Sequence, residues 1–396
     1  MQSTWPSPVA TPSVLTRLQR WISAWLASPH AYNWARAHWW TRWMVRRRTL
    51  QLFDWMGGFV HSQVLLACVQ LRVFERVSDT PIGIEQLATE LGMSSSQIEP
   101  LLQSACAMDL LQTDAQARYT LGALGRIVLN QPGIAQMIEH NQLLYRDMAD
   151  PLTFLRQSDQ GMMAAYWPYA QSAGAQPALQ TEAAQQLRDY SALMDASQGF
   201  VITEMLAHYR FSDHDTVLDL GCGKGRFMTA LGQRHPHLKL QLFDLPAVLE
   251  LAQQRVTQAG LGSRTQCHAG SFLDDPLPQG ADLVTLVRVA HDHSDQAVRR
   301  ILQKIGQILP PGGRVLLAEP MQLSGSDAAV VDPYYHFYLQ AMGRGRLRSP
   351  QQLMDLLRES GFVGVETIPT HMPIHAQLIV GHRPSVYPSI NSEKSI

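Results

Sequence analysis

The segment Thr216 to Phe227, with the sequence TVLDLGCGKGRF, limits the possible folds more than any other part of the chain. It combines a short apolar strand pattern, glycines at alternate positions and the start of a helical pattern. Glycines allow a sharp turn and the close approach of a ligand to the backbone. The spacing is GxGxG, and Arg226 stands where a dinucleotide-binding fold would have its third glycine. The pattern therefore predicts a ligand without a pyrophosphate.

Two acidic residues extend this predicted site. Asp219 ends the first strand, where a carboxylate could bind an ammonium group such as that of S-adenosylmethionine. A second strand, residues 239–245, contains Asp244, which follows Asp219 by 25 residues. Nucleoside-binding α/β proteins place an acid for the ribose hydroxyls at about this distance. The predicted nucleoside site consists of Asp219, Gly221, Gly223, Asp244 and Leu245.

Strand and helix patterns alternate from residue 201 onward. This alternation predicts a parallel sheet with helices on both faces, an α/β doubly wound fold. Only a short turn separates the last two strands, so we predict an antiparallel pair at the edge of the sheet. The predicted strands are 216–220, 239–245, 265–267, 282–289, 314–318, 363–369 and 376–382.

Further polar and aromatic residues fall at the carboxyl ends of these strands, where such sheets bind their ligands. Ser271 and Phe272 follow the third strand, and a hydroxyl and a ring there could hold an adenine. Arg288, near the end of the fourth strand, is also assigned to the cofactor site.

A candidate catalytic group lies at the same edge. The run His291-Asp292-His293 follows the fourth strand, and Glu319 follows the fifth. An imidazole accepts a proton at neutral pH, and a carboxylate on the neighbouring strand can fix its tautomer. An isolated histidine is more often structural, but this location favours catalysis. We predict His291 as a general base assisted by Glu319 and Asp292, with His293 as the weaker candidate.

Composition excludes several classes of protein. The 396 residues carry a formal net charge of −1, which gives no general case for a nucleic-acid partner. The four cysteines are far apart and include no CxxC pair, so we expect reduced thiols in the cytoplasm and no metal site. No apolar run reaches the roughly 20 residues of a membrane span, and the N-terminus lacks the apolar core of a signal peptide.

Residues 1–50 form an N-terminal arm of unusual composition. The arm holds seven of the nine tryptophans, seven arginines and no acidic residue. Trp and Arg together are typical of helices that lie at a membrane interface, and the run 46–48 of three arginines would attract anionic lipid. The alternative is that the arm packs on its own protein or on a partner subunit. Both interpretations stay open.

Residues 51–135 are predicted to form a helix-rich winged-helix domain. The stretch 52–77 is apolar nearly all round, which indicates burial in a core or between subunits. A helix–turn–helix pattern and a wing strand at 118–121 follow. Residues 84–117 contain five acids and neither Lys nor Arg, unlike a DNA-recognition helix. We therefore expect a dimerisation or substrate-covering domain that does not bind nucleic acid.

The predicted turn of this domain has defined helix boundaries. A helix over 84–91 ends at Gly92. Ser96 and Glu99 then form a predicted capping box, with Pro100 in the first turn of the second helix.

Residues 136–200 are predicted to be a helical connector and a wall of the substrate site. Methionine and aromatic side chains adapt to irregular apolar ligands, although most of those here are expected in the core. The catalytic domain would span 201–384, followed by a polar tail at 385–396. The residues assigned to the substrate are His140, Asn141, Tyr166, Met194 and Met342.

Five segments of the chain carry a resemblance to a known family. These segments are VLDLGCGKG, LQLFDLPAVLE, VRVAHDHSD, LPPGGRVLLAEPM and LRESGF. From about residue 50 to residue 384 the chain resembles the S-adenosylmethionine-dependent O-methyltransferases of the caffeic acid/acetylserotonin type. The resemblance implies a class I methyltransferase (Rossmann-like) fold, a homodimer and S-adenosylmethionine as methyl donor. It places the base at His291, the ribose-binding acid at Asp244 and a histidine-orienting glutamate at Glu319.

Two positions depart from the family pattern. The second glutamate near the base aligns with Leu347, and the acid at the adenine end aligns with Ser271. We therefore expect Glu319 or Asp292 to carry more of the task of orienting His291.

Three further segments resemble the carotenoid 1-hydroxyl O-methyltransferases of phototrophic bacteria. They are LFDWMGGFVHSQVLLACVQLRVFE, MIEHNQLLYRDMADPLTFLR and YYHFYLQAMGRGRLRSPQQL. The resemblance implies a carotenoid substrate whose tertiary alcohol is methylated, and a membrane in which it dissolves. Methylation of a bacteriochlorophyll precursor or of a small phenol is the alternative within enzymes. A winged-helix regulator that senses the cofactor is the alternative from another class.

Overall fold

The computed structural model describes residues 28–157, 160–166, 198–343 and 345–385, with the single residues 18, 21, 24 and 195. The chain forms two compact units, Met1–Arg126 and Ile127–Ile396. Parts of the predicted arm, connector and tail lie outside the described residues, among them Trp5, Trp25, Trp167, Tyr169, Met194 and the tail from residue 386.

The first unit contains one long helix that crosses the predicted end of the arm. Helix α1 spans Pro29–Ala37, and α2 spans the 32 residues Trp39–Gln70. By length and composition alone, α2 is also the one helix among the described residues that could cross a membrane, although the sequence had suggested none. Core helices of soluble proteins and signal sequences have the same length and composition.

Much of α2 is exposed rather than buried. Its buried residues are Val45, Val64, Leu66 and Cys68, and three of these four lie in the second half of the helix. Residues 52–77 are predicted to be buried in a core or between subunits. The described residues of the unit do not bury the first part of this stretch, which leaves coverage by a second subunit as the alternative. The exposed large apolar residues of this helix are Trp39, Trp40, Trp43, Leu50, Leu52, Phe53, Trp55, Met56, Phe59 and Val60.

The rest of the first unit has the predicted winged-helix pattern. Its elements are α3 (Val73–Arg76), α4 (Ile84–Leu91), α5 (Ser95–Ala107), β1 (Leu111–Thr113) and β2 (Tyr119–Leu121). The two strands pair antiparallel. Gly92 ends α4 with φ of 66°, as glycine allows.

The start of α5 differs from the prediction. Ser94, in extended conformation, is the N-cap, and its backbone N–H donates to Oε1 of Gln97 at 2.8 Å. The capping box is therefore formed by Ser94 and Gln97 and not by Ser96 and Glu99. Because the helix begins earlier, Pro100 lies inside it rather than in its first turn.

Seven strands among the described residues form the sheet of the second unit. The order is β5-β4-β3-β6-β7-β9-β8, in which β9 runs antiparallel to both neighbours. The central strands β3 and β6 are buried along their whole length, as expected of strands covered on both faces. The strands are β3 (Thr216–Leu220), β4 (Lys239–Asp244), β5 (Thr265–Ala269), β6 (Leu283–Val287), β7 (Arg314–Glu319), β8 (Val363–Ile368) and β9 (Gln377–His382). This topology confirms the predicted class I methyltransferase fold and its final antiparallel pair.

Helices cover both faces of the sheet. One core contains Val201, Met205 and Phe227, and the core on the other side contains Leu218, Ile301 and Leu356. The described helices that follow β2, including those that do not pack on the sheet, are in chain order α6 (Ala123–Asn130), α7 (Pro132–Asp147), α8 (Pro151–Arg156), α9 (Met162–Tyr166), α10 (198–208), α11 (Arg226–Arg234), α12 (Pro246–Gln258), α13 (Asp295–Ile308), α14 (Gly325–Ala341) and α15 (Pro350–Glu359). The carboxyl ends of β3, β4, β6 and β7 therefore meet at one edge of the sheet.

Candidate active site

The glycine loop after β3 turns through conformations that favour glycine. Gly221, Gly223 and Gly225 have φ values of 73°, 54° and 71°. A Cβ atom at Gly221 would come within 2.9 Å of the side chain of Val289, whereas the position at Gly223 opens onto free space. Gly225 is the N-cap of α11. The loop thus presents bare backbone beside an open volume, as a closely approaching ligand requires.

Asp244 is held at the end of β4 by two backbone N–H groups. Its Oδ2 accepts from Gly223 at 2.8 Å, and its Oδ1 accepts from Leu245 at 2.7 Å. Burial raises the pKa of this carboxyl to about 6, although the two hydrogen bonds act in the opposite direction. Each oxygen keeps a lone pair for a further donor, which suits a pair of ribose hydroxyls. Leu245 contributes its backbone N–H to this arrangement.

Asp219 lies at the end of β3 and is buried. The hydroxyl of Thr285 donates to its Oδ1 at 2.6 Å. Burial raises the pKa of Asp219 to about 7, and the hydrogen bond from Thr285 lowers it in part. A buried carboxyl without a cation is the kind of group that an incoming ammonium would stabilise in its charged form.

Ser271 and Phe272 differ in what they offer the site. The Ser271 hydroxyl donates to Asp274 Oδ2 at 3.1 Å, so it takes part in its own turn. The ring of Phe272 reaches to 3.5 Å from the position of a Cβ on Gly221, beside the glycine loop. Lys304 Nζ donates to the Phe272 carbonyl at 2.8 Å and fixes this segment. Phe272 is therefore better placed than Ser271 to contact the adenine ring of a bound nucleoside.

A strained turn carries the candidate catalytic histidine. Arg288 has a φ of 57°, in the left-handed region that a side chain disfavours, and its N–H donates to the Ala318 carbonyl at 2.9 Å. The backbone thus leaves β6 sharply and enters the short 3₁₀ turn Ala290–Asp292.

His291 and Glu319 form a buried hydrogen-bonded pair. His291 Nδ1 lies 2.6 Å from Glu319 Oε2, and the N–H groups of Val289 and Ala290 donate to Glu319 Oε1 at 2.9 and 2.7 Å. Because Glu319 is an acceptor, it selects the tautomer with the proton on Nδ1. Nε2 is left with a lone pair.

Asp292 adds a second carboxylate to this pair. Its Oδ1 lies 3.2 Å from His291 Nε2, but this oxygen makes no hydrogen bond among the described residues. Burial alone would lower the pKa of His291, but the charges of Asp292 and Glu319 outweigh it and raise the pKa above its ordinary value. Burial raises the pKa of Asp292 itself. The arrangement suits an imidazole that takes up a proton and is then stabilised as a cation.

Arg348 is a positioning residue that the sequence did not reveal. Its buried guanidinium donates to Asp295 Oδ1 and to the Ala290 carbonyl, both at 2.8 Å, and to the His293 carbonyl at 2.6 Å. It therefore holds both ends of the turn that carries His291. The pattern RLRSP gave no sign of this, because the partners of Arg348 lie more than 50 residues earlier in the chain.

The residues next to Arg348 contact the same turn. Arg346 N–H donates to the His291 carbonyl at 2.9 Å, and a Cβ on Gly345 would overlap that carbonyl oxygen. Leu347, where the family pattern has a second glutamate, is buried in an apolar cluster and supplies no charge.

Three of the five predicted substrate residues lie where α7 meets α14. His140 Nε2 lies 3.3 Å from the Tyr338 hydroxyl, and Tyr334 donates to Asn141 Oδ1 at 3.1 Å, so α7 is joined to α14. Burial lowers the pKa of His140 to about 4, which keeps it neutral near pH 7. Met342 is buried in the apolar cluster beside them.

The other two substrate residues have no side-chain description. Tyr166 ends α9, with its side chain outside the described atoms, and Met194 lies outside the described residues altogether. The apolar cluster built by α7, α8, α9 and α14 consists of Leu144, Phe154, Met163, Tyr338, Leu339, Ala341, Met342 and Leu347.

The donors and acceptors at this edge fit S-adenosylmethionine. Asp219 provides a buried carboxyl for an ammonium group, Asp244 provides two oriented oxygens for hydroxyls, and the loop at Gly223 provides open backbone. His291 provides a proton acceptor at the same edge. The fold and the site therefore define a methyltransferase.

Comparisons with known proteins agree with this class. The O-methyltransferase domain family matches residues 145–363, and the O-methyltransferase dimerisation domain family matches residues 53–131. The demethylspheroidene O-methyltransferase of Cereibacter sphaeroides is 40% identical over 343 residues, covering 87% of this chain and 89% of that protein. The Rhodobacter capsulatus protein of the same name is 36% identical, covering 86% and 84%.

Solved structures show the same fold. Human N-acetylserotonin methyltransferase in complex with SAM superimposes with a TM-score of 0.70 at 22% identity, over 85% of this chain and 98% of that one. The mitomycin 7-O-methyltransferase MmcR gives a TM-score of 0.71 at 21% identity, over 85% and 98%. The chain belongs to the O-methyltransferase family, and it is an S-adenosylmethionine-dependent enzyme whose dimerisation domain supports a homodimer.

Proposed function

We propose that the enzyme methylates the tertiary 1-hydroxyl of an acyclic carotenoid, with His291 as general base. The observation that carries the substrate class is the similarity, at 40% and 36% identity over most of the chain, to two demethylspheroidene O-methyltransferases. The apolar cluster beside the candidate base is in keeping with a hydrocarbon substrate.

The chemistry requires alignment and removal of one proton. When bound, S-adenosylmethionine supplies an electrophilic methyl group on a sulfonium. A tertiary alcohol is far too weak an acid for an imidazole to ionise in the ground state. His291 Nε2 therefore accepts the hydroxyl proton as the new carbon–oxygen bond forms. Glu319 keeps the proton on Nδ1 and, with Asp292, stabilises the resulting imidazolium.

Positioning supplies the remainder of the rate enhancement. The attacking oxygen must lie in line with the methyl group and the sulfur, and a fixed arrangement of both reactants lowers the entropy loss in the transition state. Asp219, Asp244 and the glycine loop would fix one reactant. The walls contributed by α7 and α14 would fix the other.

Transfer of a labelled methyl group tests both parts of the proposal. We would offer methyl-labelled S-adenosylmethionine with a 1-hydroxycarotenoid in liposomes, a small catechol or a bacteriochlorophyllide, to the wild type and to His291→Ala. We expect label on the carotenoid alone, with turnover lost and S-adenosylmethionine binding retained in the variant. Label on another acceptor would refute the carotenoid assignment. Near-normal turnover by the variant would refute the assignment of His291 as general base.

The enzyme would meet such a substrate at a membrane, and we propose that the N-terminal arm lies on the lipid surface as a peripheral contact of a cytoplasmic protein. Trp39, Trp40 and Trp43 are 78%, 51% and 62% exposed, close to the arginines of the run 46–48. Exposed rings and cations on one helix suit the boundary between headgroups and acyl chains.

Flotation with anionic liposomes tests this contact. The intact chain is compared with a variant that carries Trp39→Ala, Trp40→Ala and Trp43→Ala, and with the variant Arg46→Gln, Arg47→Gln, Arg48→Gln. We expect both variants to float less than the wild type. The loss caused by the arginine substitutions should be larger at low salt, where electrostatic attraction is less screened. Equal flotation of all three proteins would refute the membrane contact.

A further inference from the structure

A group of metal-ligating side chains lies away from the active site. Glu204 and His208 are one turn apart on α10, and His371 lies in the loop between β8 and β9. One ligand atom from each of the three falls within 4.8 Å of the others. The sequence gave no sign of this cluster, because His371 follows the other two by more than 160 residues.

The hydrogen bonds of His208 prepare one ring nitrogen for a ligand. Its Nδ1 lies 2.9 Å from the backbone carbonyl oxygen of Glu204, so Nδ1 carries the proton and donates it. Nε2 is then an acceptor, and within the described residues it is buried without a hydrogen-bond partner. Histidines that bind metals commonly have this arrangement, in which a carbonyl fixes the tautomer and the free lone pair faces the ion.

Glu204 provides the oxygen of the group. Its side chain is 6% exposed, and its Oε2 accepts from the His371 backbone N–H at 2.9 Å. Within the described parts of the chain, no lysine or arginine forms an ion pair with this carboxylate, and its nearest ring nitrogen is His208 Nδ1 at 3.4 Å. A buried carboxylate in such surroundings gains strongly from a cation.

The two imidazole rings are in direct edge-to-face contact. The ring centroids of His208 and His371 are 4.2 Å apart, with an angle of 81° between the planes. Ligand atoms lie about 2 Å from a bound zinc ion, so small side-chain rotations would bring the three donors onto one ion.

We propose that Glu204, His208 and His371 bind one divalent transition-metal ion of the zinc class. Two imidazole nitrogens and one carboxylate oxygen suit Zn²⁺, whereas Mg²⁺ and Ca²⁺ prefer oxygen ligands throughout. Three protein ligands leave a fourth position for water. The ion would join α10 to the loop between β8 and β9.

The proposed ion has a structural role. The first described turn of α10 lies beside the cofactor loop, since a Cβ on Gly199 would lie 3.4 Å from the guanidinium of Arg226. Arg226 Nη1 also donates to the Asp195 carbonyl at 2.5 Å. Fixing α10 to the loop at residue 371 would stabilise the native state, and above the Kd this stabilisation would grow with the logarithm of the free metal concentration.

Metal binding by the full chain tests the site without using activity. The protein is stripped with a chelator and titrated calorimetrically with Zn²⁺, with Mg²⁺ as the control ion. A parallel titration with Co²⁺ follows its visible absorption, which reports low-coordinate nitrogen and oxygen ligation. We expect one Zn²⁺ per chain, a higher Tm with Zn²⁺ and no effect of Mg²⁺. The absence of stoichiometric Zn²⁺ and Co²⁺ binding by the wild type would overturn the proposal.

Variants locate the bound ion. We expect His208→Gln and His371→Ala to weaken Zn²⁺ binding by about tenfold or more and to abolish the Tm response. His375→Ala is the matched control, since His375 lies in the same loop but outside the cluster, and it should bind like the wild type. Unchanged binding in both cluster variants would assign the ion elsewhere and overturn the proposal. The Co²⁺ spectrum of the wild type decides the question if a variant fails to fold.

Discussion

At the scale of single residues, the site is built from acids and one histidine whose ionisation the protein has shifted. Asp219 and Asp244 lie buried without a cation among their described partners, and His291 lies between two carboxylates. Burial raises the pKa of the two aspartates and so disfavours their charged form. The neighbouring carboxylates raise the pKa of His291 and so favour its charged form. The ligand-binding groups and the candidate base therefore respond to pH in different ways.

Glu319→Gln should change the pH dependence of turnover. His291 must be neutral to act as a base, so kcat rises as the pH increases through its pKa. The variant keeps an acceptor for Nδ1 but removes a charge that raises this pKa. We expect the acid limb of the kcat–pH profile to move to lower pH and the maximal kcat to fall. Asp292→Asn should move the limb in the same direction, and an unmoved limb in both variants would contradict the assignment of His291.

Asp219→Asn should separate stability from cofactor binding. The folded pKa of about 7 is above the ordinary value of an aspartate, roughly 3.9, so the folded state binds more protons between these two values. Stability is therefore lost as the pH rises from the unfolded pKa through the folded one. We expect the variant to be more stable than the wild type by roughly 2 to 4 kcal/mol at pH 8 and nearly unchanged at pH 4.

The same variant should bind S-adenosylmethionine more weakly, since it has lost the carboxylate proposed for the ammonium group. Ligand-free denaturant unfolding and calorimetric titration measure the two effects. Thr285→Val is the control, because it removes the hydrogen bond to Asp219 but keeps the carboxyl. If the Asp219→Asn protein is less stable than the wild type at pH 8, the ionised Asp219 does not destabilise the ligand-free protein and the prediction is wrong.

At the scale of elements, the turn after β6 depends on the segment before α15. Arg348 bonds to both ends of the turn and to Asp295, the first residue of α13. A planar guanidinium can make these three contacts at once, but an ammonium group on a flexible chain cannot. The position of the candidate base is therefore decided by a residue far from it in sequence.

Arg348→Lys should reduce kcat by about tenfold or more while the Kd for S-adenosylmethionine changes little, because the turn shifts but the cofactor loop does not. Single-turnover kinetics and calorimetric titration measure the two quantities. Arg346→Lys is the matched control, since Arg346 is half exposed and its ion pair with Asp295 is 3.3 Å long. Equal effects of the two substitutions would show that the buried contacts of Arg348 have no special role.

At the scale of the whole molecule, the long helix α2 presents an apolar surface that the described residues of its own unit leave uncovered. Phe53, Trp55 and Phe59 are 69%, 71% and 71% exposed, and they fall within the segment that matches the dimerisation domain family. Side chains of this size each bury a large area when a second chain covers them. A homodimer that uses this part of α2 explains the composition of the helix.

Phe59→Asp combined with Trp55→Asp should shift the protein from dimer to monomer, since two charges would be buried at the interface. Light scattering coupled to gel filtration measures the mass. Gln51→Glu adds a charge to the same helix without removing apolar area, and it should leave the dimer intact. A double variant that stays dimeric at low micromolar concentration would place the interface on another surface.

The sequence by itself determined the sheet, its final antiparallel pair and the position of the glycine loop, because alternating apolar runs and glycine spacing act locally. It also brought Asp219, Asp244, His291 and Glu319 to one edge, since parallel strands place their carboxyl ends together. The predicted start of α5 was two residues too late, because Ser94 and Ser96 are each followed three residues later by a Gln or Glu that could complete a capping box.

Only the tertiary structure decided which residues support the site and which surfaces remain uncovered. Arg348 and the cluster of Glu204, His208 and His371 join elements that are distant in sequence, and no local pattern marks such contacts. The exposure of α2 was likewise hidden, because an apolar sequence is the same whether its own domain or a second chain covers it. Sequence periodicity determines whether a segment forms a helix or a strand. Which residues that segment contacts is determined by how the separate elements pack.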